Sequence, residues 1–262
     1  AEAAILPIFA LLSRANGHPR AGLRMVFCGL AGGVPFLVAV GYLAVVHLRQ
    51  TGQLSFDLAD LQTLDLPPEV QSWLLLAFLL GLAVRVPLVP LHGWLPAVQR
   101  AASPAVMLVL TSAWLHLGAY GIMRFCPTLF PAAFGAWREP LAALATAAAV
   151  YGALLGLAQS RMRDWLVCAT LSQMGWVVFG VCTLHVAGLQ GSAVLLVGHG
   201  LVMSALLLLV GMLAERGVET PADFALGRAA PRLSGWLLLA ALAAVGLPGT
   251  VLFAGEFLVL VA

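Results

Sequence analysis

Of 262 residues, 62% are hydrophobic and only 9% are charged, with a mean hydropathy of +1.01; an ordinary soluble domain carries about 25% charged residues. The net charge of +2 comes from 13 arginines, 11 acidic residues and no lysine, a balance too weak and dispersed for a nucleic-acid partner. These counts exclude a soluble enzyme, a secreted disulfide scaffold and a disordered tail, and they imply an all-α integral membrane protein in contact with the lipid bilayer.

A helix needs about 20 mostly apolar residues to cross the hydrocarbon layer, where an unpaired backbone does not survive. Eight such segments are expected, at residues 1–12, 25–48, 73–91, 104–122, 141–158, 165–184, 189–213 and 234–262. The first is short. The longest connectors are residues 49–72, which hold Asp57, Asp60, Asp65 and Glu69 beside Arg49, and residues 214–233. None is long enough to separate a second domain, so residues 1–262 read as one transmembrane domain. The chain opens Ala1-Glu2-Ala3 and closes in an apolar run, and it is expected to be a piece of a longer protein.

Arginine placement sets the expected orientation. With eight crossings, Arg14, Arg20, Arg24, Arg100, Arg161, Arg163, Arg216, Arg228 and Arg232 fall on one side, which is therefore cytoplasmic. Arg49, Arg124 and Arg138 fall on the other, and Arg85 lies within a span. Cys28, Cys126, Cys168 and Cys182 form no C-x-x-C pair and no His/Cys spacing suited to zinc or iron–sulfur, so they read as small hydrophobes.

Ionisable groups inside spans cost about 2.5–3.5 kcal/mol each on insertion scales, so each suggests a function. Glu2, Arg85, His116 and His199 are the candidates. Arg85 is followed by Pro87 and Pro90, each of which removes a backbone donor, so the helix is expected to break there. A second break is expected at Val245-Gly-Leu-Pro-Gly249, around Pro248 and ahead of Glu256. Two Pro-interrupted segments in one chain are what inverted-repeat transporters show at their ion paths. His116 and His199 sit mid-span, and histidine exchanges its proton most easily near neutral pH. Gln173, beside Ser172, is polar without being ionisable, and with His92 and Glu256 it makes a secondary polar set. A stand-alone solute transporter or channel would need a convergent polar pocket, for which the spans offer few residues.

Arg85-Val-Pro-Leu-Val-Pro-Leu-His-Gly-Trp-Leu-Pro96 closely resembles a motif of the antiporter-like membrane subunits of respiratory complex I. In the chain M type of that family it reads Lys-x-Pro-x-x-Pro-Leu-His-x-Trp-Leu-Pro. The likeness continues through Glu2 with Pro7, Leu115–Phe125, Tyr151-Gly152, Ala158-Gln159, Ser172–Gly175, His199–Leu201, Gly211–Arg216, Gly246–Gly249 and Gly255–Phe257. It covers essentially the whole chain. The resemblance implies helices five to twelve of a 14-helix subunit built from inverted repeats, with the breaks on helices seven and twelve. It implies a multi-pass subunit of a cell's inner (plasma) membrane that moves protons when redox chemistry elsewhere changes a series of buried charges. It implies no cofactor in this chain: no flavin, iron–sulfur cluster or nicotinamide site. Its partners would be other membrane subunits of a complex I-like or hydrogenase-like assembly. Residue by residue, Glu2 matches the glutamate of the fifth helix, Arg85 the lysine that pairs with it, His116 the central lysine of the eighth helix, and His199 a histidine of the eleventh.

The pattern also departs from the family. Arginine does not release its proton in proteins, so Arg85 is expected to act as a fixed charge. Ala97-Val98-Gln99 replaces the usual Asp-Ala-His, Gln173 stands where histidine is preferred, and Arg161-Met-Arg-Asp164 scrambles an Asp-x-Lys-Arg order. Two readings follow: conduction through Glu2 and His116 biased by Arg85, or a scaffold that has lost its relay. Subunits of multi-subunit sodium/proton antiporters and of membrane-bound hydrogenases are the family-level alternatives.

Overall fold

The structure, a computed structural model, describes residues 19–220 and 231–262, and every regular element among them is helical. In chain order these are α1 (Pro19–Thr51), the short α2 (Leu58–Leu61), α3 (Pro68–Arg85), α4 (Trp94–Ala101), α5 (Pro104–Leu129), α6 (Pro131–Leu157), α7 (Met162–Cys182), α8 (Val186–Ala214), α9 (Pro231–Ala244) and α10 (Val251–Leu260). Six of them, α1, α3, α5, α6, α7 and α8, are long and apolar enough to cross a membrane. The last expected span is two half-length helices, α9 and α10, divided at the second break. The first expected span, with Glu2, lies outside the described residues.

Several boundaries differ from expectation. The helix expected over residues 73–91 begins at Pro68, where a missing N–H costs nothing in the first turn, and stops at Arg85. The expected connector around Arg124 and Arg138 is helical. Helix α5 runs through Pro127 to Leu129, and α6 starts at Pro131 and continues through Pro140, with Phe130 alone between them. Charge lowers local hydropathy, but both arginines are exposed on the helix surface, so they end the apolar signal without ending the helix.

Burial sorts the helices into inner and outer. For α7, 67% of the apolar window is enclosed, against 28% for α1 and α6, so α1 and α6 turn broad faces away from the bundle. Helix α7 lies between α6 and α8, and α8 also receives α5, α9 and α10. The alanines Ala145, Ala148 and Ala149 on the buried face of α6 let α7 come close, because small side chains bring membrane helices into van der Waals range. On the other flank, α1 packs along α3, joined by edge-to-face rings: Phe36–Phe78 at 4.7 Å and Phe78–Phe130 at 5.1 Å between centroids.

Five of the nine arginines assigned to one side meet at two clefts. Arg20, Arg24 and Arg100 line one cleft, and Arg100, Arg161 and Arg163 line another with Asp164 and Glu219. Arg163 donates to the Ala102 carbonyl at 2.9 Å, the Gln99 amide donates to the Arg163 carbonyl at 3.2 Å, and Arg100 lies 3.6 Å from Asp164. Arg49 sits at the far end of α1, about 40 Å of helix away from Arg20 and Arg24.

Candidate functional site: two helix breaks and a buried histidine pair

The first break is built by its own sequence. Pro87 and Pro90 supply no N–H, so the α3 ladder cannot continue, and Leu88 N–H turns back to the Ala83 carbonyl at 3.1 Å. That leaves the Val84 carbonyl without its helical donor at membrane depth. The indole of Trp94, itself 2% exposed, donates to it at 2.8 Å. Leu91–Gly93 then forms a single 3₁₀ turn before α4. Trp94 comes from the motif that carries the family resemblance, and its part here is to satisfy the break.

Arg85 is the last residue of α3 and only 8% exposed. Its guanidinium carbon lies 5.3 Å from the Trp114 ring and 5.9 Å from the Phe36 ring, a cation–π arrangement worth most when desolvated. Helix α5 reaches this point because residue 118 is glycine: a Cβ there would sit 2.7 Å from Arg85 Cβ and 3.0 Å from the Leu82 carbonyl oxygen. Glu2, assigned to pair with Arg85, lies outside the described residues.

Helix α5 widens to a π turn at Leu110–Trp114, where Leu115 N–H reaches back five residues to the Leu110 carbonyl. Thr111 and Ser112 hydroxyls donate to the carbonyls of Met107 and Leu108 at 2.8 and 2.5 Å. The extra residue rotates the faces of α5 on either side of it, as such bulges do at functional sites. Trp114 meets Arg85 and His116, two residues on, turns to α8. There the His116 and His199 rings stand 5.4 Å apart between centroids with their planes at 68°. His199 is fully enclosed with neither ring nitrogen hydrogen-bonded, while the His116 ring lies against the backbone carbonyls of Leu196 and Thr111. His116 borders a side cleft of about 530 Å³ whose wall includes Ser112, Tyr120, Gly200 and Ser204.

At the second break Gly246 closes α9. It adopts φ +72°, its N–H bonds to the Ala243 carbonyl at 3.2 Å, and Leu247 N–H bonds to the Leu242 carbonyl at 3.1 Å, the paired pattern that caps a helix with glycine. Pro248 lies exposed in the turn. One turn into α10, Glu256 folds back over this cap: a Cβ on Gly246 would lie 2.5 Å from its carboxylate. The Gln173 amide of α7 donates to that carboxylate at 2.8 Å. On sequence alone Gln173 and Glu256 rank as secondary; the structure joins them to each other and to the break. His92 stays apart, its ring 5.3 Å from that of Tyr151 on α6.

The four groups therefore follow a series of packed helices. Arg85 on α3 touches α5, His116 on α5 meets His199 on α8, and α8 packs along α10, which carries Glu256. Sequence offers no signal for the π turn, and Trp114, Gly118 and Tyr151 read there as ordinary apolar or small residues.

The family described as NADH:quinone oxidoreductase/Mrp antiporter, transmembrane, matches residues 1–262 throughout. The chain belongs to this family. Among curated relatives of this NADH:quinone oxidoreductase/Mrp antiporter family, NADH-quinone oxidoreductase subunit M of Pseudomonas aeruginosa is 37% identical over 234 residues, covering 88% of this chain and 46% of that protein. The chain spans about half the length of the curated relatives it matches. Among solved structures, respiratory complex I from Thermus thermophilus contains a chain that superposes with a TM-score of 0.91 at 33% identity, over 99% of this chain and 56% of that one. The Mrp complex from Dietzia shares the fold, with a TM-score of 0.83 at 23% identity over 97% of this chain and 28% of that one. The all-α, antiporter-like architecture and the membrane setting of this family member are thereby established.

Proposed function

We propose that this chain is part of a proton-translocating membrane-arm subunit of a complex I-like NADH-quinone oxidoreductase, seated among other membrane subunits in a bacterial inner (plasma) membrane. The observation that carries the reading is the His116–His199 contact: two buried imidazoles from different helices, with the His199 ring nitrogens free of any hydrogen bond. Histidine passes protons near neutral pH. The pair stands between Arg85 at one helix break and Glu256 at the other. Discontinuous helices carry ion sites in transporters because only there is polar backbone tolerated at membrane depth. The relatives, NADH-quinone oxidoreductase subunits M, and the Thermus complex favour the oxidoreductase over the antiporter, since the Mrp likeness is one of fold.

In this reading Glu256, His116 and His199 are exchangeable sites, Glu2 faces Arg85, and Arg85 biases the path as a permanent charge. Arg85 also motivates the competing reading, a scaffold without a relay. His116→Ala in the full assembly, reconstituted in vesicles with a pH-sensitive dye, separates them. Loss of redox-driven or gradient-driven proton movement with assembly intact is expected; unchanged movement would remove His116 from the path.

A further inference from the structure

We propose that a phospholipid with an ethanolamine headgroup binds at the arginine-rich end of the bundle, its head in the cleft between α4, α7 and α8 and one acyl chain in the groove beside it. Two cavities meet there. The first, about 280 Å³, is lined by Arg100, Arg161 and Arg163 together with Asp164, Glu219 and Gln99. The second, about 250 Å³, runs between α7, α8 and α9 over Trp165, Leu166, Leu206, Leu237 and Ala241. Arg161 and Val210 belong to both. A polar cleft continuous with an apolar groove, at one end of membrane helices, has the form of an amphiphile rather than of an ion or a soluble metabolite.

Each part of the headgroup has its counterpart. A phosphodiester is drawn to guanidinium groups and to a helix N-terminus, where backbone N–H groups and the dipole favour an anion. Helix α7 begins in this cleft: its N-cap is Arg161, and no side chain caps it. The primary ammonium is drawn to the carboxylates of the same wall and to Gln99. That side chain is 1% exposed; its amide donates to the Arg163 carbonyl at 3.2 Å, and its Oε1 has no partner. Buried acceptors nearly always find a donor, yet the neighbouring arginines are directed elsewhere, Arg163 to the Ala102 carbonyl at 2.9 Å and Arg100 towards Asp164 at 3.6 Å. A wall that mixes three guanidiniums with two carboxylates suits a zwitterion. A choline head brings no N–H to Gln99, and a glycerol head brings no positive charge to Asp164 and Glu219.

The groove suits the tail. Apart from Gln159 and Arg161, in the connector that leads into α7, its lining is apolar. Trp165 stands one turn inside α7 from Arg161, where an indole marks the boundary between headgroups and hydrocarbon. Basic pockets between membrane helices on the cytoplasmic side are where lipid heads are held. The site depends on neither the histidine pair nor proton movement.

The test uses the purified assembly in detergent and a phosphatidylethanolamine that carries a diazirine in the upper part of one acyl chain. After illumination, peptide mapping of the wild type places the label on residues 162–166 of α7 and 237–241 of α9. Unlabelled phosphatidylethanolamine competes for the site, while phosphatidylcholine and phosphatidylglycerol compete about tenfold less well, the worth of one charge-assisted hydrogen bond. Arg161→Gln lowers labelling and Ala241→Trp, which fills the groove, abolishes it, with assembly of both variants checked by gel filtration. Label absent from both helices, equal competition by the three lipids, or unchanged labelling in assembled Arg161→Gln overturns the proposal. Competition by inorganic phosphate as strong as by phosphatidylethanolamine marks the cleft as a plain anion site and overturns the lipid. The wild-type map and competition series need no variant, so they decide the matter even where a substitution prevents assembly.

Discussion

Gly246→Ala tests the second break directly. Gly246 holds φ +72°, a conformation that costs an L-residue about 1–2 kcal/mol. The new Cβ would also lie 2.5 Å from the Glu256 carboxylate, forcing it off the Gln173 amide that donates to it at 2.8 Å. Loss of that bond adds about 0.5–1.5 kcal/mol, so the variant should lose about 2–3 kcal/mol in total. Unfolding equilibria in mixed detergent micelles measure it. A double-mutant cycle then divides the two parts: with Glu256→Ala in the background the carboxylate is gone, the clash disappears, and only the conformational part of about 1–2 kcal/mol remains. A cost under about 0.5 kcal/mol, typical of an indifferent surface site, would refute the capped geometry. An equal cost in both backgrounds would refute the contact between Glu256 and the break.

Trp94→Phe removes the indole that donates to the Val84 carbonyl and leaves that oxygen unsatisfied in a buried site; a loss of about 1–3 kcal/mol is expected in the same unfolding assay. Gly118→Val drives a side chain into Arg85 Cβ and the Leu82 carbonyl, costing about 1–3 kcal/mol by overpacking, and a variant as stable as wild type would show that α5 does not approach the break so closely. Arg85→Lys keeps a cation facing Trp114 and Phe36 and should retain or improve proton movement in vesicles. Arg85→Ala should lose most of it, and full activity with full assembly in Arg85→Ala would remove Arg85 as the biasing charge.

The breaks were legible in the sequence because proline acts on the backbone itself: a missing N–H at Pro87 and Pro90 disrupts the ladder whatever surrounds it. Spans were legible for a similar reason, since hydropathy reports a requirement that each helix meets alone. What escaped depends on neighbours. Arg124 and Arg138 weaken the apolar signal but sit on helix exteriors, so the helices of α5 and α6 run on past them. The π turn at Leu110–Trp114 leaves no compositional trace, yet it decides that Trp114 faces α3 while His116 faces α8. Glu256 looked secondary because nothing in the chain near it indicates that α10 folds its carboxylate over Gly246, ten residues earlier, or that Gln173 reaches it from α7. In sequence His116 and His199 are two separate mid-span histidines; that they touch follows only from the packing of α5 on α8.

The absence of lysine acquires a structural meaning at Arg85. A lysine is a compact point charge whose pKa shifts readily with burial, whereas a guanidinium stays charged and stacks on aromatic faces. The site supplies such faces, Trp114 and Phe36, on two different helices. It is therefore furnished for a permanent cation rather than for one that gives up its proton. If protons move here, the exchanging groups must be elsewhere, and the described helices offer them in sequence: His116 on α5, His199 on α8 and Glu256 on α10. Trp114 and His116 share one helix on either side of the π turn's end, one facing Arg85 and the other His199. Under the proposed function, α5 is the element that links the charge at the first break to a pair it does not touch, since it carries both Trp114 and His116.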